Sequence, residues 1–448
     1  MTSQNGRGNI DRFAGITTNP QKHPILFFGF LRLRFNNGLY LLFFYFGYDR
    51  WSFQYIVDEV AQFLWLTIRH EPSNEGGLLE CLGDKEGTGQ AQDRNALRQT
   101  MTRIPLARPF WNQAMEDAAI EVLRSKKWVK GEQGRMFGAE FASWCGAEAA
   151  VPCQSGSAAL WAALRLLDIG PGDEVIVPGL TFIATATAVS LVGATPVFAD
   201  VEPDYWCICP VDVKSKISDK TKAVIGVHLF GQPFSQKLRK LCDENNIALI
   251  EDAAQAHGAT MDGKKIGSIG DIACFSFFPS KNMAVGGEGG MITTTRKDLA
   301  ERMNRLINHG RDDTLESIEL GTNLRMSEVQ AAIGRKQLEK IDEWTQIRNN
   351  NSEFIQHNTT VRKGCTHAWH QLCILSDQPN ELISSFDRQG IDARVHYPIP
   401  CNRQQVYSEY SNVELKVCES IAHRLVAIPV HPSLTTGELE KINKVLHL

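Results

Sequence analysis

From residue 104 to about 343, short apolar runs rich in β-branched residues alternate with stretches whose apolar positions recur every three or four residues. That alternation predicts an α/β domain on a largely parallel sheet, because each strand must be followed by a crossover long enough to hold a helix. Strands are predicted over 174–178, 196–201, 223–229, 248–252 and 272–278, and helices over 158–167, 182–192 and 235–245. A longer helical pattern over 327–344 leads into a segment that reads helix, strand, helix, strand, helix to the end of the chain. The expected organisation is a large domain over 104–343 and a smaller α/β domain over 344–448.

Residues 1–103 have a different texture. An aromatic-rich apolar region over 24–48 is interrupted by Arg32, Arg34 and the turn sequence Asn36-Asn37-Gly38, leaving a stretch well short of the ~20 residues that cross a bilayer as a helix. It also lacks the layout of a secretory leader. A polar, glycine-containing stretch occupies 71–103, and the texture changes near Met101, a natural start for the α/β region. Residues 1–103 are expected to be an atypical extension, not necessarily native, and residues 1–100 to be dispensable for catalysis. The whole chain of 448 residues has a formal net charge of −4, so no basic surplus steers it to nucleic acid or anionic lipid. Its 11 cysteines are odd in number and scattered, which fits reduced thiols and a cytoplasmic setting. Cys207 and Cys209 have no second Cys or His pair at zinc-ligand spacing, so no metal site is expected.

Three segments carry candidate chemistry. In the first, an apolar run from Cys274 to Phe278 is followed by Lys281 and then by Gly286-Gly287-Glu288-Gly289-Gly290. A lysine at the end of a buried strand can have its amine neutralised by desolvation and become a nucleophile or base, although on this segment alone a solvated loop lysine fits as well. In the second, the strand over 247–252 ends in Glu251-Asp252 and runs on to Gln255 and His257. Ligands of open α/β sheets meet the carboxyl ends of strands, so Asp252 could pair with a protonated pyridine nitrogen and Gln255 could lie on the same face. A structural role for the acid fits equally, and Glu251 and His257 read as supporting residues. In the third, Ser155-Gly156-Ser157 opens a helix, and such an end is either a phosphate site or a plain serine cap. No dinucleotide or Walker glycine fingerprint stands at a strand-to-helix junction.

Taken in order with Ile104-Pro105-Leu106-Ala107-Arg108-Pro109, Pro171-Gly172-Asp173-Glu174-Val175, His228-Leu229-Phe230-Gly231, Asn323-Leu324-Arg325-Met326 and His396-Tyr397-Pro398, these segments resemble the DegT/StrS family of nucleotide-sugar aminotransferases. The resemblance implies pyridoxal-phosphate (PLP) fold type I, the aspartate-aminotransferase-like fold. By it, Lys281 would carry the cofactor as a Schiff base, Asp252 would bind the pyridine nitrogen, Gln255 the phenolic oxygen, and Phe182 would stack on the ring. Gly156, Ser157 and Ser276 would hold the phosphate, with Asn323 arriving from a second subunit of a homodimer with shared active sites. Arg394, His396 and Tyr397 would lie on the substrate side. Family members with histidine in place of the lysine are dehydratases, so Lys281 favours aminotransfer. The implied reaction moves an amino group from an amino acid, glutamate, to a nucleotide-linked keto-sugar. An aminotransferase acting on another cyclic ketone, like the aminohydroxybenzoate synthases, and a noncatalytic PLP-binding regulator are the alternatives. Thr322 departs from the aromatic residue usual before the asparagine.

Overall fold

A computed structural model describes residues 103–447 in full and the backbone of residues 27–35 and 38–46. In the N-terminal region, β1 (Phe27–Phe35) and β2 (Gly38–Phe46) pair antiparallel with Phe35 opposite Gly38, and the Asn36-Asn37 part of the predicted turn lies outside the described residues. The remainder of the expected extension lies outside the described residues.

Residues 103–447 are organised by a seven-stranded sheet. Its strands are β3 (Ala149–Cys153), β4 (Glu174–Pro178), β5 (Thr195–Ala199), β6 (Thr221–Val227), β7 (Ala248–Asp252), β8 (Ile272–Ser276) and β9 (Gly290–Thr294), in the order β3-β9-β8-β7-β6-β4-β5. Only β9 runs against the other six. β4, β6, β7 and β8 are almost wholly buried, as strands covered by helices on both faces must be. Two of the predicted strands keep their ends, while the strands predicted over 196–201, 223–229 and 272–278 stop up to two residues earlier, at Ala199, Val227 and Ser276.

The predicted helix over 327–344 is two helices. The first, Glu328–Leu338, starts at Ser327 with a capping box that Gln330 completes; the second, Ile341–Ile355, starts after Lys340 has left regular helical geometry. The residue pair 343/344 therefore lies inside the second helix. Downstream, Leu372–Leu375, Leu425–Ile428 and Arg394–Val395 form an antiparallel sheet with the longest-paired strand in the middle. It encloses a second core of Leu372, Ile374, Phe386, Val426 and Ile428, which Ile104 joins by bridging Ile391. The chain thus enters through the C-terminal core before it builds the large sheet.

Candidate active site

Asp252 ends β7 at the carboxyl edge of the sheet, where the strand ends open toward a ligand. It is 6% exposed, and burial pushes its carboxyl above the usual range. Two donors oppose that push: the Thr185 hydroxyl, 2.8 Å from Oδ2, and the Ala254 N–H, 3.2 Å from Oδ1. Glu251, the neighbouring acid, faces the other way. It accepts the N–H groups of Gly267, Ile269 and Gly270 and lies 3.0 Å from His228 Nε2, so its oxygens are committed to holding the loop before β8. His257 is fully buried against Phe275 and Phe277, which pushes its imidazole down to about 3 and keeps it neutral. Both residues are structural supports.

Lys281 follows β8 by five residues, on a turn closed by its own N–H to the Phe278 carbonyl at 2.8 Å. Burial lowers its amine to about 8, and the Asp252 charge opposes the shift. An amine near 8 is neutral in roughly a tenth to a fifth of molecules at about pH 7 to 7.4, a reactive fraction some hundreds of times that of a solvated lysine. A carbonyl is attacked by the neutral amine, so capture of pyridoxal phosphate by the apoprotein is expected to accelerate about tenfold per pH unit from pH 6.5 toward 8 and then level off. Stopped-flow absorbance at several pH values checks this; a rate still climbing steeply at pH 10 would mean an unperturbed lysine.

The opposite end of the cleft is a helix start. Gly156–Leu166 is capped by Ser155, whose hydroxyl accepts the Ala158 N–H at 3.1 Å. The first N–H groups of a helix have no intrahelical acceptor and collect anions. Gly156 is needed here for close approach: a Cβ on it would sit 2.8 Å from Ser276 Cβ, so any larger residue pushes the helix end away from β8. Gly156→Ala is therefore expected to weaken cofactor retention by roughly tenfold or more, since a packing clash of this kind costs about 1–3 kcal/mol. Equilibrium dialysis against pyridoxal phosphate measures it.

Between these ends lies a cavity of about 470 Å³, within the range of small-molecule sites. Gly156, Ser157, Phe182, Asp252, Gln255, Ser276, Lys281, His396 and Tyr397 all line it. Phe182 is 54% exposed there, an aromatic face open beside polar walls. Gln255 accepts the Phe230 N–H and donates to the Tyr397 hydroxyl at 2.8 Å. Asn323 and Arg394 are not among the lining residues; both are exposed, and Asn323 accepts only a long bond from the Arg325 N–H. Thr181, His370 and Gln371 also line the cleft and were not singled out by the sequence, nor was Thr185 behind it. The signals were present but weak: a hydroxyl inside the apolar helix Ala184–Leu191, and the closely spaced His367 and His370.

A buried acid for a ring nitrogen, an amine near 8 for a carbonyl, a helix start with Ser276 for a phosphate and an open aromatic face form a donor set that fits pyridoxal phosphate. Similarity to known proteins agrees. Residues 111–447 match the DegT/DnrJ/EryC1/StrS aminotransferase family. The UDP-N-acetyl-3-dehydro-alpha-D-glucosamine 3-aminotransferase of Acidithiobacillus ferrooxidans is 36% identical over 335 residues, covering 73% of this chain and 91% of the relative. The dTDP-3-amino-3,4,6-trideoxy-alpha-D-glucose transaminase of Streptomyces venezuelae is 38% identical over 335 residues, 72% of this chain and 88% of its own. The crystal structure of S. venezuelae DesV in complex with a ketimine intermediate superposes with a TM-score of 0.72 at 36% identity, covering 74% of this chain and 93% of that one. The expected fold type is thereby met, and the chain belongs to the DegT/DnrJ/EryC1/StrS aminotransferase family as a pyridoxal-phosphate-dependent transaminase.

Proposed function

We propose that the chain moves an amino group from glutamate to the keto carbon of a sugar linked to a nucleoside diphosphate, giving an amino sugar nucleotide. The observation that carries the reading is the Lys281 amine, lowered to about 8, in the cavity that Asp252 also lines. Pyridoxal phosphate, when bound, supplies an electron sink conjugated to the carbon that bears the amino group. Asp252 holds a negative charge at the ring nitrogen and so maintains that sink. Lys281 Nζ takes the proton from the α-carbon of the donor and delivers it one position along; with the keto-sugar it runs the same transfer in reverse. Gly156, Ser157 and Ser276 fix the phosphate, and Phe182 covers one ring face. Arg394, His396 and Tyr397 are assigned to the acceptor side; His396 and Tyr397 reach the cleft, and Arg394 lies on the exposed strand that leads into them. Cytoplasmic placement is supported by the free thiols of the described cysteines. No helix among the described residues is long and apolar enough to cross a membrane.

The test is incubation with glutamate and a panel of nucleotide-linked keto-sugars, with products identified by mass and NMR. An aminated sugar nucleotide is expected. Amination of a free cyclic ketone with none of the sugar nucleotides would transfer the assignment to that acceptor class.

The same reading includes a homodimer in which Asn323 completes the phosphate site of the opposite subunit. Its exposed position outside its own cleft supports this. A phosphate dianion in a partly dry site needs several convergent donors, and a second chain can supply one. Lys281→Ala and Asn323→Asp chains are each expected to be impaired alone, whereas mixed dimers regain one whole site, with Lys281 from one chain and Asn323 from the other. No recovery after subunit exchange, with exchange verified by mass, would reject the shared site.

A further inference from the structure

Behind Phe182 the chain buries two hydroxyls that the reaction above leaves unused. Thr181, in the connection after β4, is 4% exposed, and Thr185, in the first turn of Ala184–Leu191, is fully buried. Their oxygens are 2.9 Å apart, and Thr185 Oγ1 is 2.8 Å from Asp252 Oδ2. Each hydroxyl has one hydrogen to give, and an ionised carboxylate only accepts. Thr185 must therefore spend its hydrogen on Asp252, and Thr181 must spend its own on Thr185. The chain of donors has one direction, from Thr181 through Thr185 to Asp252, and the Ala254 N–H takes the other carboxylate oxygen.

We propose that Thr185, oriented by Thr181, is a positioning residue that holds Asp252 ionised and aimed so that the cofactor's ring nitrogen stays protonated; this rests on the reading that Asp252 meets that nitrogen. The need is physical. Burial favours the neutral carboxyl, and a neutral Asp252 would no longer stabilise a proton on the ring. The other groups facing Asp252 are Lys281, which when protonated favours its ionised form, His228, whose ring meets Glu251 and the Phe234 N–H instead, and Tyr397 and Cys274, whose own ionisation Asp252 opposes. Among the described residues none of these four side chains hydrogen-bonds to the carboxylate. Thr185 is its one side-chain donor there. One short segment thus serves both faces of the site: the Thr185 N–H closes on the Phe182 carbonyl at 3.1 Å, and the turn that presents the Phe182 ring to the cleft sends the two hydroxyls behind it.

The test uses holoenzyme loaded with pyridoxal phosphate carrying ¹⁵N in the ring, whose shift separates the protonated from the unprotonated nitrogen. Between pH 6 and 9 the wild type and Thr185→Ser are expected to stay protonated throughout. Thr185→Val, which keeps the shape and removes the hydroxyl, is expected to lose the ring proton within that range, a fall of at least one pH unit in the midpoint. Thr181→Val, which leaves Thr185 without its orienting donor, should shift in the same direction by less. Should Thr185→Val fail to hold the cofactor, Thr181→Val decides alone. A wild-type titration in whichever of the two valine variants binds cofactor overturns the proposal. Asp252→Asn separates the two layers: if it too leaves the ring protonated, the pairing of Asp252 with the nitrogen is what fails.

Discussion

Lys281→Ala is expected to remove turnover, by about 10²- to 10⁴-fold from the proton transfer alone and further from loss of the covalent anchor. In the proposed mechanism the lysine is the amine that engages the cofactor and the base that moves the proton, and among the described residues no other lysine lines the cleft. The fold should survive. Among the described residues the Lys281 side chain makes no ion pair, and its folded-state amine, at about 8, lies below the ordinary lysine value of 10.5. A depressed amine costs stability in full below pH 8, and the cost fades as pH rises toward 10.5. The apoprotein of Lys281→Ala should therefore melt at or above the wild type at pH 7, with the gap closing at higher pH. Activity loss with unchanged or raised melting identifies a chemical role; near-normal turnover would remove Lys281 from the mechanism.

The parallel centre of the sheet was legible because strands buried on both faces become continuous apolar runs, as Val175-Ile176-Val177 and Leu249-Ile250 do. The flanking strands were not. Ala149–Cys153 contains Pro152 and two alanines, and Gly290–Thr294 emerges from a glycine-rich turn that reads as loop. What makes them strands is antiparallel pairing with each other and with β8, a long-range property with no local pattern. The break between Leu338 and Ile341 was hidden for a related reason, since apolar spacing carries across the interruption.

The site divides along the same line. Lys281, Asp252 and Gln255 stand at strand ends within compact motifs, so their neighbours in sequence already announce them. Thr185 acts on Asp252 across 67 residues, and Tyr397 reaches Gln255 across 142. His370 and Gln371 come from the segment before the C-terminal sheet, where Gln371 lies 2.7 Å from His396. Such contacts exist only once both cores have formed.

Asp252→Asn is the sharpest probe of the charge at the centre of the cleft. Turnover is expected to fall about 10³-fold, the scale on which removing one preorganised electrostatic partner acts. The substitution keeps the side chain's shape, and the surroundings can accommodate it. The amide oxygen can still accept the Ala254 N–H, and the amide nitrogen can donate to Thr185, whose hydroxyl then turns toward Thr181 and reverses the chain of donors. Melting should accordingly change little. A second readout tests the same charge from the other side: Asp252 is what raises the Lys281 amine against burial, so without it that amine should fall further below about 8. Because the neutral amine is the reactive form, the pH at which cofactor capture levels off should move down with it. A variant with lost turnover and an unmoved capture profile would mean that Asp252 and Lys281 do not share one electrostatic site, and an unchanged rate would remove Asp252 from the reaction.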